Sequence, residues 1–219
     1  MGNVREIGIM LSRFFQYYNF RVKPKLLGWI TRFLYSNKNI IIGNNFTCDS
    51  IPNIFIGKDS SLTIGNNTQF RKNIEIRAHG QSLLKIGSNV RIDRGVRLLS
   101  TNQSQIVIGD RTAIGLYSVF NGGDDIILGE ACLISGFVYL QTSMHSHDYG
   151  TYIKDQGFSH APVILGNDIW LGAHAVILPG CHLSDGVIVG SNAVVTSPVD
   201  TNKIVAGVPA KVIGDRKKR

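Results

Sequence analysis

The sequence is poor in cysteine and contains no long apolar run. It holds three cysteines in 219 residues and no CxxC pair, which argues against a thiolate zinc site or a redox pair. We expect buried free thiols, as a reducing cytoplasm allows. The first apolar stretch, residues 7–11, is too short for a signal peptide. Basic residues then interrupt residues 13–25, which argues against a transmembrane helix.

Acidic residues are also few, but the excess of positive charge is confined to the two ends. The formal net charge is +8. Residues 1–38 carry seven Lys/Arg and one acidic residue, residues 211–219 carry five and one, and residues 39–210 carry eleven and thirteen. A nucleic-acid-binding protein is expected to spread Lys/Arg over a working face. The nearly neutral middle of the chain therefore argues against a nucleic-acid partner.

A repeat of six residues runs through the C-terminal part of the chain. Aliphatic residues recur at this spacing in the order Leu165, Leu171, Ile177, Leu183, Val189 and Val195. An α-helix would need a period near 3.6 and an alternating strand a period of 2. A period of six indicates an all-β fold, a parallel β-helix whose coils have three faces. Less regular copies begin at residue 40, so we expect the β-helix to occupy residues 39–200.

Two details of the repeat carry further expectations. Glycine often follows the aliphatic residue, as in Ile64-Gly65 and Ile108-Gly109, and we expect it to adopt unusual φ/ψ angles at tight corners. The register of six is lost over residues 141–164. We expect this segment to leave the solenoid as a functional loop, because long loops in a regular scaffold usually carry function.

Residues 1–38 precede the repeat and are predicted to be helical. Apolar residues at three- and four-residue spacings are typical of an amphipathic helix over residues 1–22, and Pro24 is expected to end it. A second short helix is expected over residues 26–35. The helices are interpreted as a cap on the open end of the solenoid, or as a peripheral attachment to an anionic membrane surface. The two interpretations are compatible.

Four motifs in the last third of the chain resemble one enzyme family. They are IWLG (169–172), VILPG (176–180), VGSNAVVT (189–196) and VAGVPAKVI (205–213). They resemble the hexapeptide-repeat O-acetyltransferases, which include the maltose, galactoside and xenobiotic acetyltransferases and the capsule or O-antigen acetyltransferases. The resemblance covers residues 40–213. It implies a left-handed β-helix, a homotrimer with active sites between neighbouring subunits, and acetyl-CoA as co-substrate.

The resemblance implies a catalytic histidine in the segment 141–164. The family's His-x-x-Asp pattern matches His145 and Asp148. His145 is therefore expected to act as general base, taking the proton of a substrate hydroxyl while the oxygen attacks the thioester. Asp148 or a backbone carbonyl is expected to orient its ring. His147 is the rival for the same role, and Asn121 and Tyr149 are candidates for contacts to the acceptor.

The resemblance also implies a binding wall for CoA along the later coils. Trp170 is expected beside the acyl-thioester end, with core packing as the alternative. Small residues at successive corners are expected to admit the pantetheine arm, and a Pro-Ala-Lys stretch is expected to meet the adenine and the phosphates. The residues concerned are Gly172, Ala173, Ser191, Asn192, Ala210 and Lys211.

Together these expectations describe an acetyl-CoA-dependent O-acetyltransferase that acts on a sugar hydroxyl of a bacterial surface polysaccharide or its precursor, without a metal. N-acetylation of an amino sugar nucleotide is one alternative. A non-catalytic or metal-binding β-helix is another, since the similar γ-type carbonic anhydrases hold zinc with three histidines. The helical segment 1–38 and the tail 201–219, with its basic end, suggest an acceptor near the inner membrane.

Overall fold

A continuous helical segment precedes the first coil. The computed structural model describes residues 2–217, so the last two residues of the basic end lie outside the described residues. Helix α1 (Gly2–Tyr17) passes through a π-helical turn (Tyr18–Val22) into helix α2 (Lys23–Tyr35). The predicted break at Pro24 is wrong. Pro24 lies in the first turn of α2, directly after the π-helical turn, and the helical path continues through it.

The chain then winds into a parallel β-solenoid with three sheets, as the period of six predicts. The first sheet contains Ile40–Ile42, Ser61–Ile64, Leu83–Ile86, Gln105–Ile108, Ile126–Leu128, Val163–Leu165 and His182–Leu183. The second contains Thr47–Cys48, Gln69–Phe70, Arg91–Ile92, Ala113–Ile114, Leu133–Ile134, Trp170–Leu171, Ile188–Val189, Lys203–Gly207 and Ala210–Asp215. The third contains Asn53–Ile56, Glu75–Ala78, Arg97–Ser100, Val119–Gly122, Tyr139–Gln141, Val176–Ile177 and Val194–Val195.

The core is a column of aliphatic side chains enclosed by the three sheets. Strand register in the first sheet stacks Ile42, Ile64, Ile86, Ile108, Leu128, Leu165 and Leu183 above one another. Each of them is buried, and burying one such side chain contributes about 1.5–3 kcal/mol. Because each coil packs mainly on its two neighbours, these contributions add along the solenoid axis.

The glycines that follow the aliphatic residues differ from expectation. Among the described residues, none of them has a positive φ angle. A Cβ on Gly65 would instead lie 2.5 Å from the carbonyl carbon of Gly87 in the following coil. The positive φ falls two residues later, at Asn67 (56°) and Asn89 (58°). Glycine is thus required by the close approach of successive coils, and asparagine takes the left-handed corner, which it tolerates.

Helix α2 covers the open end of the first coil. Gly28 packs so closely that a Cβ there would lie 2.9 Å from the carbonyl carbon of Phe46. The buried Thr31 donates its hydroxyl to the carbonyl of Leu27 at 2.8 Å and lies 3.3 Å from the Sγ atom of Cys48. Helix α2 therefore closes the core at this end, whereas α1 is exposed from residue 6 onwards.

The three cysteines, Cys48, Cys132 and Cys181, are free and buried. Burial raises the pKa of each thiol above its ordinary value, because an apolar environment disfavours the thiolate. The thiols therefore stay protonated and act as small core side chains.

Candidate active site

A hairpin arm, residues 142–161, interrupts the solenoid. The third-sheet strand Tyr139–Gln141 precedes it, and the first-sheet strand Val163–Leu165 follows it. Within the arm, Ser143–His145 pairs antiparallel with Phe158–His160. The segment predicted as a loop over residues 141–164 differs in its bounds, because Gln141 and Val163 lie in solenoid strands, and the base of the segment is a paired two-stranded arm.

Thr142 fixes the base of the hairpin arm to the coil before it. Its buried hydroxyl oxygen accepts the backbone N–H groups of Gly123 and Asp124 at 2.9 and 3.0 Å. The same hydroxyl donates to the carbonyl of Asn121 at 3.1 Å. The carbonyl of Thr142 accepts the N–H of Ala161, directly after the returning strand, at 3.0 Å. Both strands of the arm are thus anchored to one buried threonine.

Gln156 cross-links the tip of the arm. Its side-chain oxygen accepts the N–H of Asp148 at 2.7 Å, and its amide donates to the carbonyls of Asp148 and Thr151 at 2.9 and 2.8 Å. Tyr149 projects from this tip and is fully exposed. Sequence reasoning missed Gln156, because no spacing in the segment marks an amide that closes a loop.

The two histidines proposed as bases lie together on the arm. The His145 ring is tilted against the ring of Phe158, with centroids 4.2 Å apart. The Nδ1 atom of His147 lies 3.1 Å from the carbonyl oxygen of His145. Because a carbonyl only accepts, Nδ1 is the donor of this hydrogen bond, and in the neutral tautomer Nε2 would carry the lone pair.

The expected role of Asp148 is not seen in the described residues. Its carboxylate forms no hydrogen bond with His145, and its backbone is held by Gln156. A backbone carbonyl does orient a histidine, as expected for a general base, but the oriented ring is that of His147. The structure therefore brings the two candidate bases together without assigning the role to one of them.

A third histidine makes a contact that sequence reasoning did not foresee. The Nδ1 atom of His160 lies 2.9 Å from the hydroxyl of Ser143, and the two residues are partners across the antiparallel pair. Asn121 lies near the point where the hairpin arm leaves the solenoid, because strand pairing places it beside Gln141. Its Nδ2 atom is 3.3 Å from the Tyr139 hydroxyl. The contact between Ser143 and His160 becomes visible only when the strand pairing is known. That pairing could not be predicted, because the segment has no periodic pattern.

Trp170 lies on the outer side of the second sheet. Its indole is 48% exposed, so it does not pack in the core. The indole Nε1–H donates to the Ser135 hydroxyl of the preceding coil at 3.4 Å. The sequence singled out Trp170 but not Ser135, which lies 35 residues earlier in the chain.

Trp170 leads into a corner built from small residues, which we call the small-residue edge (residues 172–173 and 190–192). Gly172 lies so close to the next coil that a Cβ there would be 2.5 Å from the N atom of Ser191. The N–H of Asn192 donates to the carbonyl of Ala173 at 2.9 Å. Ser191 and Asn192 are both exposed. Four of the predicted donor-site residues are thus brought together along the solenoid axis.

The last two predicted donor-site residues extend the same edge. Ile188–Val189 pairs with Lys203–Gly207, which pairs antiparallel with Ala210–Asp215. In this hairpin Ala210 is opposite Gly207 and the exposed Lys211 is opposite Ala206. The ammonium group of Lys211 is therefore carried on the final coil, beyond the small-residue edge.

The hairpin arm and the small-residue edge lie at different corners of the same chain. The arm connects the third sheet to the first, because it follows Tyr139–Gln141 and precedes Val163–Leu165. The small-residue edge connects the second sheet to the third, between Trp170–Leu171 and Val176–Ile177. The strands of the third sheet lie between these two corners, and no hydrogen bond or ring contact joins His145 to Trp170 within residues 2–217.

Three rings are stacked at the corner that includes the small-residue edge. The centroids of Tyr117 and Phe137 are 5.5 Å apart, and those of Phe137 and His174 are 4.8 Å apart with nearly parallel planes. All three residues have φ angles between 54° and 60°, which bulky side chains rarely adopt. Sequence reasoning missed this aromatic stack, since the three rings are far apart in the chain.

The alternative of a metal site can be compared with the positions of possible ligands. In residues 2–217, no three His, Cys, Asp or Glu side chains are grouped as metal ligands would be. The zinc alternative therefore gains no support from the arrangement of His145 and His147 alone.

The repeat region of the chain matches a known family model. Residues 162–197 match the family model described as bacterial transferase hexapeptide (six repeats). This segment is similar to the repeats that the family model describes. The match confirms the predicted hexapeptide repeat over residues 162–197, which include both Trp170 and the small-residue edge.

Two curated proteins that are similar to part of the chain carry acetyltransferase names. A probable acetyltransferase of Mycobacterium tuberculosis is 35% identical over 108 residues, which are 49% of this chain and 36% of the relative. A putative lipopolysaccharide biosynthesis O-acetyl transferase of Escherichia coli is 29% identical over 102 residues, 41% of this chain and 50% of the relative. The chain thus spans about half or less of these two curated relatives.

One solved structure resembles a larger part of the chain. It is a mutant of AntD, an N-acyltransferase from Bacillus cereus, in complex with dTDP and coenzyme A. The sequences are 27% identical, the match covers 70% of this chain and 84% of that chain, and the TM-score is 0.62. The likeness extends the comparison from the hexapeptide repeat to most of the solenoid.

Proposed function

We propose that this protein transfers an acetyl group from acetyl-CoA to a sugar hydroxyl of a bacterial surface polysaccharide or its precursor. One observation carries the proposal. The solenoid with the hexapeptide repeat is interrupted by a hairpin arm, and this arm holds the candidate histidines. The named relatives support acyl transfer. The lipopolysaccharide relative supports a surface-glycan acceptor.

In the proposed reaction, His145 is the general base. Its neutral imidazole accepts the hydroxyl proton while the hydroxyl oxygen forms a bond to the thioester carbonyl carbon. The carbon–sulfur bond then breaks, and the imidazolium returns the proton to the CoA thiolate. His147 is the competing candidate, and it is favoured by the carbonyl that fixes its ring and frees Nε2. The acceptor is proposed to lie near Asn121 and Tyr149.

The donor is proposed to lie along the small-residue edge. The exposed Trp170 offers an indole face to the acyl end, and the exposed Ser191 and Asn192 offer polar groups to the pantetheine arm. Ala210 and Lys211 are proposed for the nucleotide end, where an ammonium group suits phosphate. Coenzyme A in the complex of the AntD mutant supports this choice of donor.

We propose a homotrimer whose subunits share each active site. The support is geometric, because the arm and the small-residue edge lie at different corners of one chain. A neighbouring subunit would bring its small-residue edge to the arm and complete the site. The proposed compartment is the cytoplasm, since three free buried thiols suit a reducing environment.

N-acylation of an amino sugar nucleotide is the second candidate. It is favoured by the AntD likeness, since AntD is an N-acyltransferase whose mutant binds dTDP. An acceptor screen separates the candidates. The full-length protein is incubated with acetyl-CoA and either surface glycans or amino sugar nucleotides, and released CoA thiol is measured.

The chemistry of the product decides between the two. We expect CoA release with a glycan, and a product whose acetyl group is removed by mild base, as an ester is. Release only with an amino sugar nucleotide, with a base-stable amide product, would establish the second candidate instead. A protein that neither binds nor consumes acetyl-CoA would be the non-catalytic β-helix.

A further inference from the structure

The outer face of α2 is fixed in position at one end of the solenoid. Its inner face is held against the first coil through Gly28 and the buried Thr31. On the opposite side, the rings of Trp29 and Phe33 stack with centroids 5.9 Å apart and planes 14° apart. They are 64% and 77% exposed. Two large rings are thus presented to solvent on a helix that cannot rotate to bury them.

Cationic side chains accompany these rings. A groove of about 410 Å³ is lined by Lys25, Trp29, Arg32, Asn45, Phe46 and Thr47. An adjoining groove of about 610 Å³ is lined by Tyr17, Arg21, Val22, Lys25 and Leu26. Lys25 belongs to both grooves, and each groove combines apolar walls with a guanidinium and an ammonium group. This combination suits a ligand that carries an anionic head and an apolar body.

Helix α1 also exposes large apolar side chains. Five exposed apolar residues recur at three- and four-residue spacings and so share one side of the helix, whereas the exposed Ile9 lies on the opposite side. The five are Ile7, Leu11, Phe14, Phe15 and, at the start of the π-helical turn, Tyr18. Neither described helix has the length and hydropathy needed to cross a bilayer. An amphipathic helix of this kind lies in the interface between headgroups and acyl chains.

We propose that α1 and the outer face of α2 dock the protein on an anionic phospholipid bilayer. Charge complementarity argues for this partner, because residues 1–38 hold seven Lys/Arg and one acidic residue. Each basic residue near an anionic surface strengthens binding about fivefold. The exposed rings add apolar insertion, which charge alone does not provide. The proposal is independent of the acetyl-transfer chemistry.

The docking face is limited to the N-terminal end. The last hairpin, Lys203–Gly207 with Ala210–Asp215, lies on the final coil, at the other end of the solenoid from α2. Arg216 of the basic tail is already engaged with Asp168, at 2.6 Å. Contact through the N-terminal helices would therefore place the C-terminal end away from the bilayer.

Vesicle binding tests the proposal directly. The full-length protein is sedimented with phosphatidylcholine vesicles that either contain or lack phosphatidylglycerol, at low and high salt. We expect sedimentation with the anionic vesicles only, and less of it at high salt. In a Trp170→Phe background, Trp29 is the remaining tryptophan, and its emission is expected to shift to the blue with anionic vesicles alone.

Matched variants distinguish docking through the N-terminal helices from nonspecific adsorption to vesicles. The double variant Trp29→Ser/Phe33→Ser is expected to lose binding, and Lys25→Glu/Arg32→Glu is expected to weaken it by more than tenfold. Phe55→Ser and Lys85→Glu alter exposed residues on the coils and are expected to bind as the unaltered protein does. Thermal unfolding of each variant checks that the solenoid is intact.

Two results would overturn the proposal. One is equal sedimentation of the unaltered protein with both kinds of vesicle, or with neither. The other is a change in the sedimentation-velocity mass of Trp29→Ser/Phe33→Ser while its vesicle binding is retained. That result would show that a second copy of the chain, and not a bilayer, covers the rings.

Discussion

At the scale of single residues, the hairpin arm offers two imidazoles with different surroundings. The His145 ring packs on Phe158, whereas the His147 ring is fixed by a backbone carbonyl. A general base needs both reach to the hydroxyl and a free ring nitrogen. The free Nε2 atom argues for His147, and the resemblance in the His-x-x-Asp pattern argues for His145.

Alanine substitution distinguishes these two residues. His145→Ala is expected to lower turnover by about 10²–10⁴-fold, because general-base catalysis contributes this much. Binding of CoA, measured by calorimetry, is expected to be retained, since the arm and the small-residue edge lie at different corners. The measurement is the initial rate of CoA release with the acceptor found in the screen.

The controls for this prediction come from the same chain. His182→Ala removes an exposed histidine from a first-sheet strand and is expected to leave the rate unchanged. If His145→Ala is nearly fully active and His147→Ala is not, the role of base belongs to His147.

At the scale of elements, the coils are spaced so closely that particular glycines become obligatory. A Cβ at Gly65 would lie 2.5 Å from the carbonyl carbon of Gly87, which is inside van der Waals contact. Gly57 also follows an aliphatic residue, but a Cβ there would meet the next coil only at 3.4 Å. The two glycines look alike in the sequence and differ only in the distance to the neighbouring coil.

We therefore predict that alanine destabilises the protein more at Gly65 than at Gly57. Gly65→Ala is expected to lower the free energy of unfolding by about 1–3 kcal/mol, because the coils must separate to admit the methyl group. Gly57→Ala is expected to change it by less than about 1 kcal/mol. Thermal or denaturant unfolding followed by circular dichroism measures both. Equal losses would mean that backbone conformation, and not coil spacing, selects glycine.

At the scale of the whole molecule, the position of the hairpin arm bears on whether one chain or two neighbouring chains form each active site. His145 and Trp170 belong to corners separated by the third sheet. If each site combines the arm of one subunit with the small-residue edge of the next, then two different inactive subunits can complement each other.

Mixing His145→Ala with Trp170→Ala tests this arrangement. Each variant alone is expected to be weakly active. After co-refolding of equal amounts, about a quarter of the sites in randomly mixed trimers combine an intact arm with an intact edge. Recovery of about a quarter of the unaltered rate supports a shared site, and no recovery would place both residues in the same chain's site. Sedimentation velocity gives the oligomeric state of each sample.

The sequence by itself determined the all-β solenoid, because a period of six has few other structural solutions, and it located the one long interruption. Trp170 and the small residues were marked by the resemblance of their motifs to the hexapeptide-repeat acetyltransferases. Tertiary structure decided the pairing within the arm, the contacts of His147 and His160, and the aromatic stack at Tyr117, Phe137 and His174. These depend on residues that are distant in the chain or that lie in an aperiodic segment, where no local periodicity encodes the register.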